Sequence, residues 1–215
     1  MTIALALKCE DGVLLATDSM AQHHRPDGWI DVDLGSRKFT RLGERWAMVI
    51  SGCLPSGYSP DPALADEPIE TIAEVVLGEL ALLEYNAAEA PGGLRRHTDL
   101  LIAGGLVPEA VLVSTGGAMG LKGAIGGLPL VGGAMGAWAR EQGIQFGPAP
   151  ASLEQAIPYA LECCRRYIRE SWRAWGFEHY EDFHAGEPGG HVPPSAPPYQ
   201  LAIITDHIEV MEVAE

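Results

Sequence analysis

The sequence predicts an α+β fold: β-sheets stacked face to face, with helices outside them. Three observations predict it. The chain opens on a run of period two that breaks at an Asp-Gly turn. Its elements come as strands, then helices, then strands, an order that does not suggest parallel βαβ units. Two long stretches carry apolar residues at helical spacing. The chain has 215 residues, 47% hydrophobic and 20% charged, enough for a full core, so a single domain over 1–215 is expected.

In order, Thr2, Ala4, Ala6 and Lys8 fall on one face of the first strand, and Ile3, Leu5 and Leu7 on the other. Asp11-Gly12 turns the chain into a second strand, Val13 to Thr17, ending in Asp18-Ser19. Residues 21–37 are polar and read as a loop around Arg25-Pro26-Asp27-Gly28. Lys38 to Leu42 and Trp46 to Ile50 read as strands joined at Gly43-Glu44. Residues 53–67, rich in Pro, Ser and Asp, read as a long loop.

The first helix is expected over 68–88. Pro68 suits its first turn, and Ile69, Ile72, Ala73, Val76, Leu80 and Leu83 form its core stripe. Leu100 to Leu106 and Ala110 to Ser114 read as buried strands. The glycine-rich segment 116–136 lacks both a Gly-Lys-Ser/Thr ending and a GxGxxG opening a βαβ unit, so it reads as tight turns and close packing. A second helix starts near Gly133. A third covers 152–175, with Ser152 as its N-cap. Residues 176–198 form a loop insertion, and Tyr199 to Thr205 and Ile208 to Val213 close the chain as a hairpin.

A net charge of -15 argues against nucleic acid and anionic membranes as partners. No apolar run has the length of a membrane span, and the N-terminus lacks signal-peptide features, so a cytoplasmic location is expected. The four cysteines, Cys9, Cys53, Cys163 and Cys164, lack zinc spacing. The vicinal pair reads as two core side chains. His179, His184 and His191, with Glu178, Glu181 and Asp182, read as a solvated loop. No metal and no cofactor is expected.

One constellation carries chemistry. Removal of Met1 makes Thr2 an N-terminal threonine, whose hydroxyl can attack a carbonyl while its own α-amine accepts the proton. An α-amine has an intrinsic pKa of about 8, close to what a base near neutrality needs. The mechanism also needs a cation beside the hydroxyl, an acid to orient that cation and an N–H for the oxyanion. Asp18, Lys38 and Gly52 supply these residue types at strand ends.

Over residues 2–52, the Thr-Ile start, the Asp-Gly hairpin, "LLATDS", "RKFTRL" and "MVISG" resemble the proteasome β-type family of N-terminal-nucleophile hydrolases, including bacterial proteasome-like peptidases. Weaker likeness continues through "LVGGAMGAW" and the helices. The resemblance implies a four-layer αββα sandwich and a threonine-type endopeptidase. Thr2 would be the nucleophile, Lys38 would lower its hydroxyl pKa, Asp18 would orient Lys38, and the Gly52 N–H would form the oxyanion hole. Ile50 would sit at the base of the substrate pocket, with Met20 and Gln22 facing substrate. It implies a peptide or unfolded-protein substrate, a homo-oligomer such as a ring, and room for an ATPase partner. An inactive scaffold, or an amidase or acyl-transfer enzyme on the same fold, is the alternative.

The chain also departs from the family pattern. The family's Gly-Ser-Gly turn matches Val131-Gly132-Gly133, so its serine is a glycine here, with Gly133 and Ser171 as candidate supporting residues, and Met20 stands where an arginine is usual. Ser171, after Glu170, falls where the family's long helix carries an aspartate and then a serine. Pro55, Pro60 and Pro62 oppose the helix expected after Gly52.

Overall fold

The computed structural model describes residues 2–24, 30–52, 58–89, 98–114, 122–123, 127–174, 176 and 195–214. In chain order its elements are β1 (Ile3–Lys8), β2 (Val13–Asp18), β3 (Ala21–His24), β4 (Ile30–Asp33), β5 (Phe39–Leu42) and β6 (Trp46–Ser51). A 3₁₀ turn (Pro62–Asp66), α1 (Ile69–Glu89), β7 (Asp99–Gly104), β8 (Glu109–Ser114) and β9 (Lys122–Gly123) follow. Then come β10 (Leu130–Gly132), α2 (Gly133–Glu141), α3 (Leu153–Ala174), β11 (Tyr199–Ile204) and β12 (Ile208–Val213).

Two five-stranded antiparallel sheets result. One has the order β10-β1-β2-β11-β12, the other β5-β6-β7-β8-β9. Period two sorts β1 as the sequence predicts. Ile3, Leu5 and Leu7 pack under α2 and α3, with Met135, Ala160, Cys164 and Tyr167. Ala4 and Ala6 face the second sheet, with Ala47, Val49, Leu101 and Ala103. On the far side of the second sheet, Trp46, Met48, Leu100 and Ile102 pack against Ile72, Ala73, Val76 and Leu80 of α1.

The central cluster between the sheets is built from small side chains. Six of its thirteen buried residues are alanine, so the two sheets approach closely there, and little can be added without moving a backbone. The stacked-sheet expectation with outer helices is therefore met. The expectation of four full layers is met only in part. The outer face of the second sheet carries α1, while the stretch after Gly52 contributes a 3₁₀ turn among its described residues.

Some local expectations are corrected. Residues 21–37 are not a continuous loop, because β3 and β4 pair as a hairpin. The alternation Ile30-Asp31-Val32-Asp33 is a strand pattern hidden in a polar stretch, and Val32 packs toward the helix-side cluster. The 53–67 loop contains the 3₁₀ turn, where Asp61 Oδ1 accepts the Ala63 N–H at 2.9 Å. The Trp46 indole N–H fastens that turn by donating to the Ala65 carbonyl at 3.0 Å. Prolines at 60 and 62 block an α-helix but tolerate this single turn.

The helices fall close to expectation. Ser152 Oγ accepts the Gln155 N–H at 3.4 Å, and Asp11 Oδ1 accepts the Leu153 N–H at 2.9 Å, so the first hairpin helps to start α3. Cys9, Cys163 and Cys164 are free thiols, and Cys164 is buried in the core. Cys53, the histidine loop and most of the 176–198 insertion lie outside the described residues. Among the described residues no helix is long and apolar enough to cross a membrane.

Leu5 is fully buried in the helix-side cluster, whereas Leu106 is 81% exposed. Leu5→Ala is expected to lower unfolding free energy by about 2–5 kcal/mol. Leu106→Ala is expected to change it by less than about 0.5 kcal/mol. Urea unfolding followed by circular dichroism measures both.

Candidate active site

Thr2 continues the inter-sheet face of β1 and is buried, at 4% exposure. Its Oγ1 accepts a hydrogen bond from Lys38 Nζ at 3.0 Å. Its carbonyl accepts the Ala134 N–H at 2.9 Å. The side chain therefore points at a cation while its peptide is fixed by the start of α2.

Asp18 ends β2 and has no exposed surface. Oδ1 accepts the Ile3 N–H at 2.8 Å, and Oδ2 accepts the Met20 N–H at 3.2 Å. Burial pushes this carboxyl up from its ordinary value. The positive charge of Lys38, then the Ile3 and Met20 N–H groups, work against that push. The Lys38 charge thus acts on both the acid and the threonine.

Lys38 is half-buried and lies just before the four-residue strand β5. Its own N–H donates to Gln200 Oε1 at 3.0 Å, while Gln200 Nε2 donates to the Ser36 carbonyl at 2.9 Å. The Ser36 N–H donates to the Ser19 carbonyl at 3.0 Å. Sequence reading did not single out Gln200. The available signal was a lone polar residue in the apolar run Tyr199–Ile204.

Gly52 is exposed, directly after β6, with φ +147, a conformation that favours glycine. Ile50 is 8% exposed and packs with the α1-side cluster. Gln22 lies in β3, opposite Val32. The substrate-facing expectation for the Met20 side chain is corrected: it is 1% exposed, in the helix-side core, and its backbone N–H serves Asp18.

Ser171 and Gly133 both make local structural contacts. The Ser171 hydroxyl is buried and donates to the Ile168 carbonyl of its own helix at 3.1 Å. Gly133 serves as a backbone contact. Its N–H donates to Asp99 Oδ2 at 2.6 Å, and its φ is +64. A Cβ there would lie 2.1 Å from the Thr2 carbonyl oxygen and 2.8 Å from Ser51 Oγ. The turn has no room for a serine side chain. Asp99, which sequence reading also missed, holds that turn in place.

No protein-family model matches this chain. No curated protein matches it either. Among solved structures, a (Gly-1) mutant of Anbu from Hyphomicrobium sp. strain MC1 is similar, with a TM-score of 0.60 at 14% identity, covering 100% of this chain and 88% of that one. Anbu is a bacterial protein of the proteasome-like, N-terminal-nucleophile-hydrolase fold. This chain shares its overall fold with that structure. At such identity the likeness speaks to the fold alone, and the chemistry rests on the side chains around Thr2.

Among the described residues no group of three or more His, Cys, Asp or Glu side chains gathers as a metal site would require. Burial, with the Asp18 charge among the lesser causes, pushes the Cys164 thiol and the Tyr167 hydroxyl up, so both stay protonated near neutrality beneath the site.

Gly133→Ser is expected to destabilise the fold by about 1–3 kcal/mol, through a strained φ and a Cβ driven into the Thr2 carbonyl. Chemical denaturation of the variant measures it.

Proposed function

We propose that this chain is a proteasome-like threonine-type endopeptidase, acting on peptide or unfolded-protein substrates. The reading rests on one observation: Lys38 Nζ stands 3.0 Å from Thr2 Oγ1, beside the buried Asp18. We further propose one domain over 1–215 with the αββα layering of that fold, acting in the cytoplasm as a homo-oligomer.

The reaction requires Thr2 as the first residue of the mature chain. Its Oγ proton passes to its own α-amine as the Oγ–C bond to the scissile carbonyl forms. The Lys38 charge stabilises the ionising oxygen, and the Gly52 N–H receives the oxyanion. The tetrahedral species collapses by breaking the C–N bond, and the ammonium returns its proton to the leaving amine. Water then attacks the Thr2 ester, losing its proton to the same amine; the acyl C–Oγ bond breaks, the ammonium returns that proton to Oγ, and the acid product leaves free Thr2. Ile50 would lie at the base of an apolar pocket for the residue before the cleaved bond, with Gln22 near the substrate strand.

A second reading, an inactive scaffold on the same fold, is favoured by Gly133, since the turn that carries a serine in the resembled family has no side chain here.

Intact mass before and after treatment with a peptide epoxyketone tests the first reading. Such reagents need both the hydroxyl and the free amine of an N-terminal threonine. Loss of Met1 and one adduct on Thr2 is the expected outcome; retained Met1 with no adduct would move the assignment to the scaffold. Thr2→Ala is expected to abolish the adduct. Lys38→Ala is expected to slow its formation by about 10²- to 10³-fold, measured as the rate of mass shift.

A further inference from the structure

We propose that Gln200 is the positioning residue that places Lys38 on the Thr2 hydroxyl. Its effect on reactivity rests on the hydrolase reading above; the clamp itself does not.

The physical problem is where Lys38 sits. Thr2 and Asp18 belong to the first sheet, Thr2 directly before β1 and Asp18 at the end of β2, whereas Lys38 precedes β5 at the edge of the second. β5 is four residues long, and among the described residues it pairs within its sheet only with β6. Beside it runs an open groove of about 390 Å³ lined by Arg37, Phe39, Arg41, Gln200 and Met211 among others. On that side Arg41 Nη2 donates to the Ile208 carbonyl at 2.9 Å and Phe39 packs against the inter-sheet cluster, so β5 itself is held, while the segment before it needs its own fastening.

Gln200 supplies from the first sheet the side-chain bonds that hold residues 36 and 38 directly. It stands opposite Thr17 on β2, next to the Tyr199–Asp18 pair. By period two it shares the inter-sheet face with Ala202 and Ile204, so its amide reaches across toward the second sheet. It is 5% exposed, and both ends of the amide are used. Oε1 takes the Lys38 N–H at 3.0 Å and Nε2 gives to the Ser36 carbonyl at 2.9 Å. The Ser36 N–H to Ser19 carbonyl bond, at 3.0 Å, ties the same segment to the residue after Asp18. A primary amide can serve a donor and an acceptor two residues apart on one extended backbone. A hydrocarbon of similar size would leave both backbone groups unpaired. Lys38 thus reaches Thr2 from a backbone fastened to the sheet that carries Asp18.

The test compares wild type, Gln200→Leu and Gln200→Glu. Two quantities are read on each: hydrogen exchange of the Lys38 amide, and the pH–rate profile of epoxyketone addition to Thr2, with melting temperature as a control. In Gln200→Leu the Lys38 amide is expected to lose protection. Addition is expected to slow by between about 10- and 10²-fold, and the profile to move to higher pH because the hydroxyl loses its cation. Gln200→Glu keeps the acceptor for Lys38 N–H and loses the donor for Ser36, so a protected amide and an intermediate rate are expected. Gln200→Leu with a wild-type rate, profile and amide protection overturns the proposal. If Gln200→Leu does not fold, Gln200→Glu carries the test, and a wild-type rate there overturns it. A wild type that never reacts, with protection lost in Gln200→Leu, rejects the hydrolase reading and leaves the clamp standing.

Discussion

A buried carboxylate organises this molecule. Asp18 has no solvent contact, and leaving an ionised acid in such a place costs several kcal/mol unless its oxygens are met. Here each oxygen takes a backbone N–H, one from Ile3 and one from Met20, and the Lys38 charge lies close by. Those contacts fix the first residues of β1 against the end of β2. They determine where Thr2 begins and which way its side chain leaves the sheet.

The rest of the architecture converges on the same spot. The alanines between the sheets bring the two layers close enough for a lysine of one sheet to touch a threonine of the other. The turn at Gly132–Gly133 approaches the Thr2 peptide so closely that only a residue without a Cβ fits. Asp99 holds that turn from β7, and Gln200 holds the lysine segment from β11. Gln200 thus fastens the Lys38 backbone directly, and Asp99 fastens the turn whose Ala134 N–H meets the Thr2 carbonyl.

Much of this was legible in the sequence where the signal was local. The β1–β2 hairpin declares itself through alternation and Asp-Gly, and α1 and α3 through their apolar stripes. Thr2, Asp18, Lys38 and Gly52 could be named from residue type and strand ends. The β3–β4 hairpin was hidden because Asp31 and Asp33 alternate with apolar residues and make the stretch look like a solvated loop. Met20 reads as a substrate-facing side chain because its backbone role leaves no mark in the sequence. Gln200 and Asp99 act through partners 162 and 34 positions away. Nothing in their own neighbourhoods shows what they hold, because such pairings exist only once the sheets have closed.

The position of Gln200 in chain order has a consequence for biosynthesis. β11 inserts between β2 and β12, and during synthesis it emerges after the elements that carry Thr2, Asp18 and Lys38. Until it pairs, β2 has an open edge, the Ser19 N–H lacks the Pro198 carbonyl, and the segment carrying Lys38 lacks its amide tether. A nascent chain therefore carries the threonine, the acid and the lysine long before it has their geometry. The β11–β12 hairpin acts as a timer that joins the parts of the site only after the elements before it have been made.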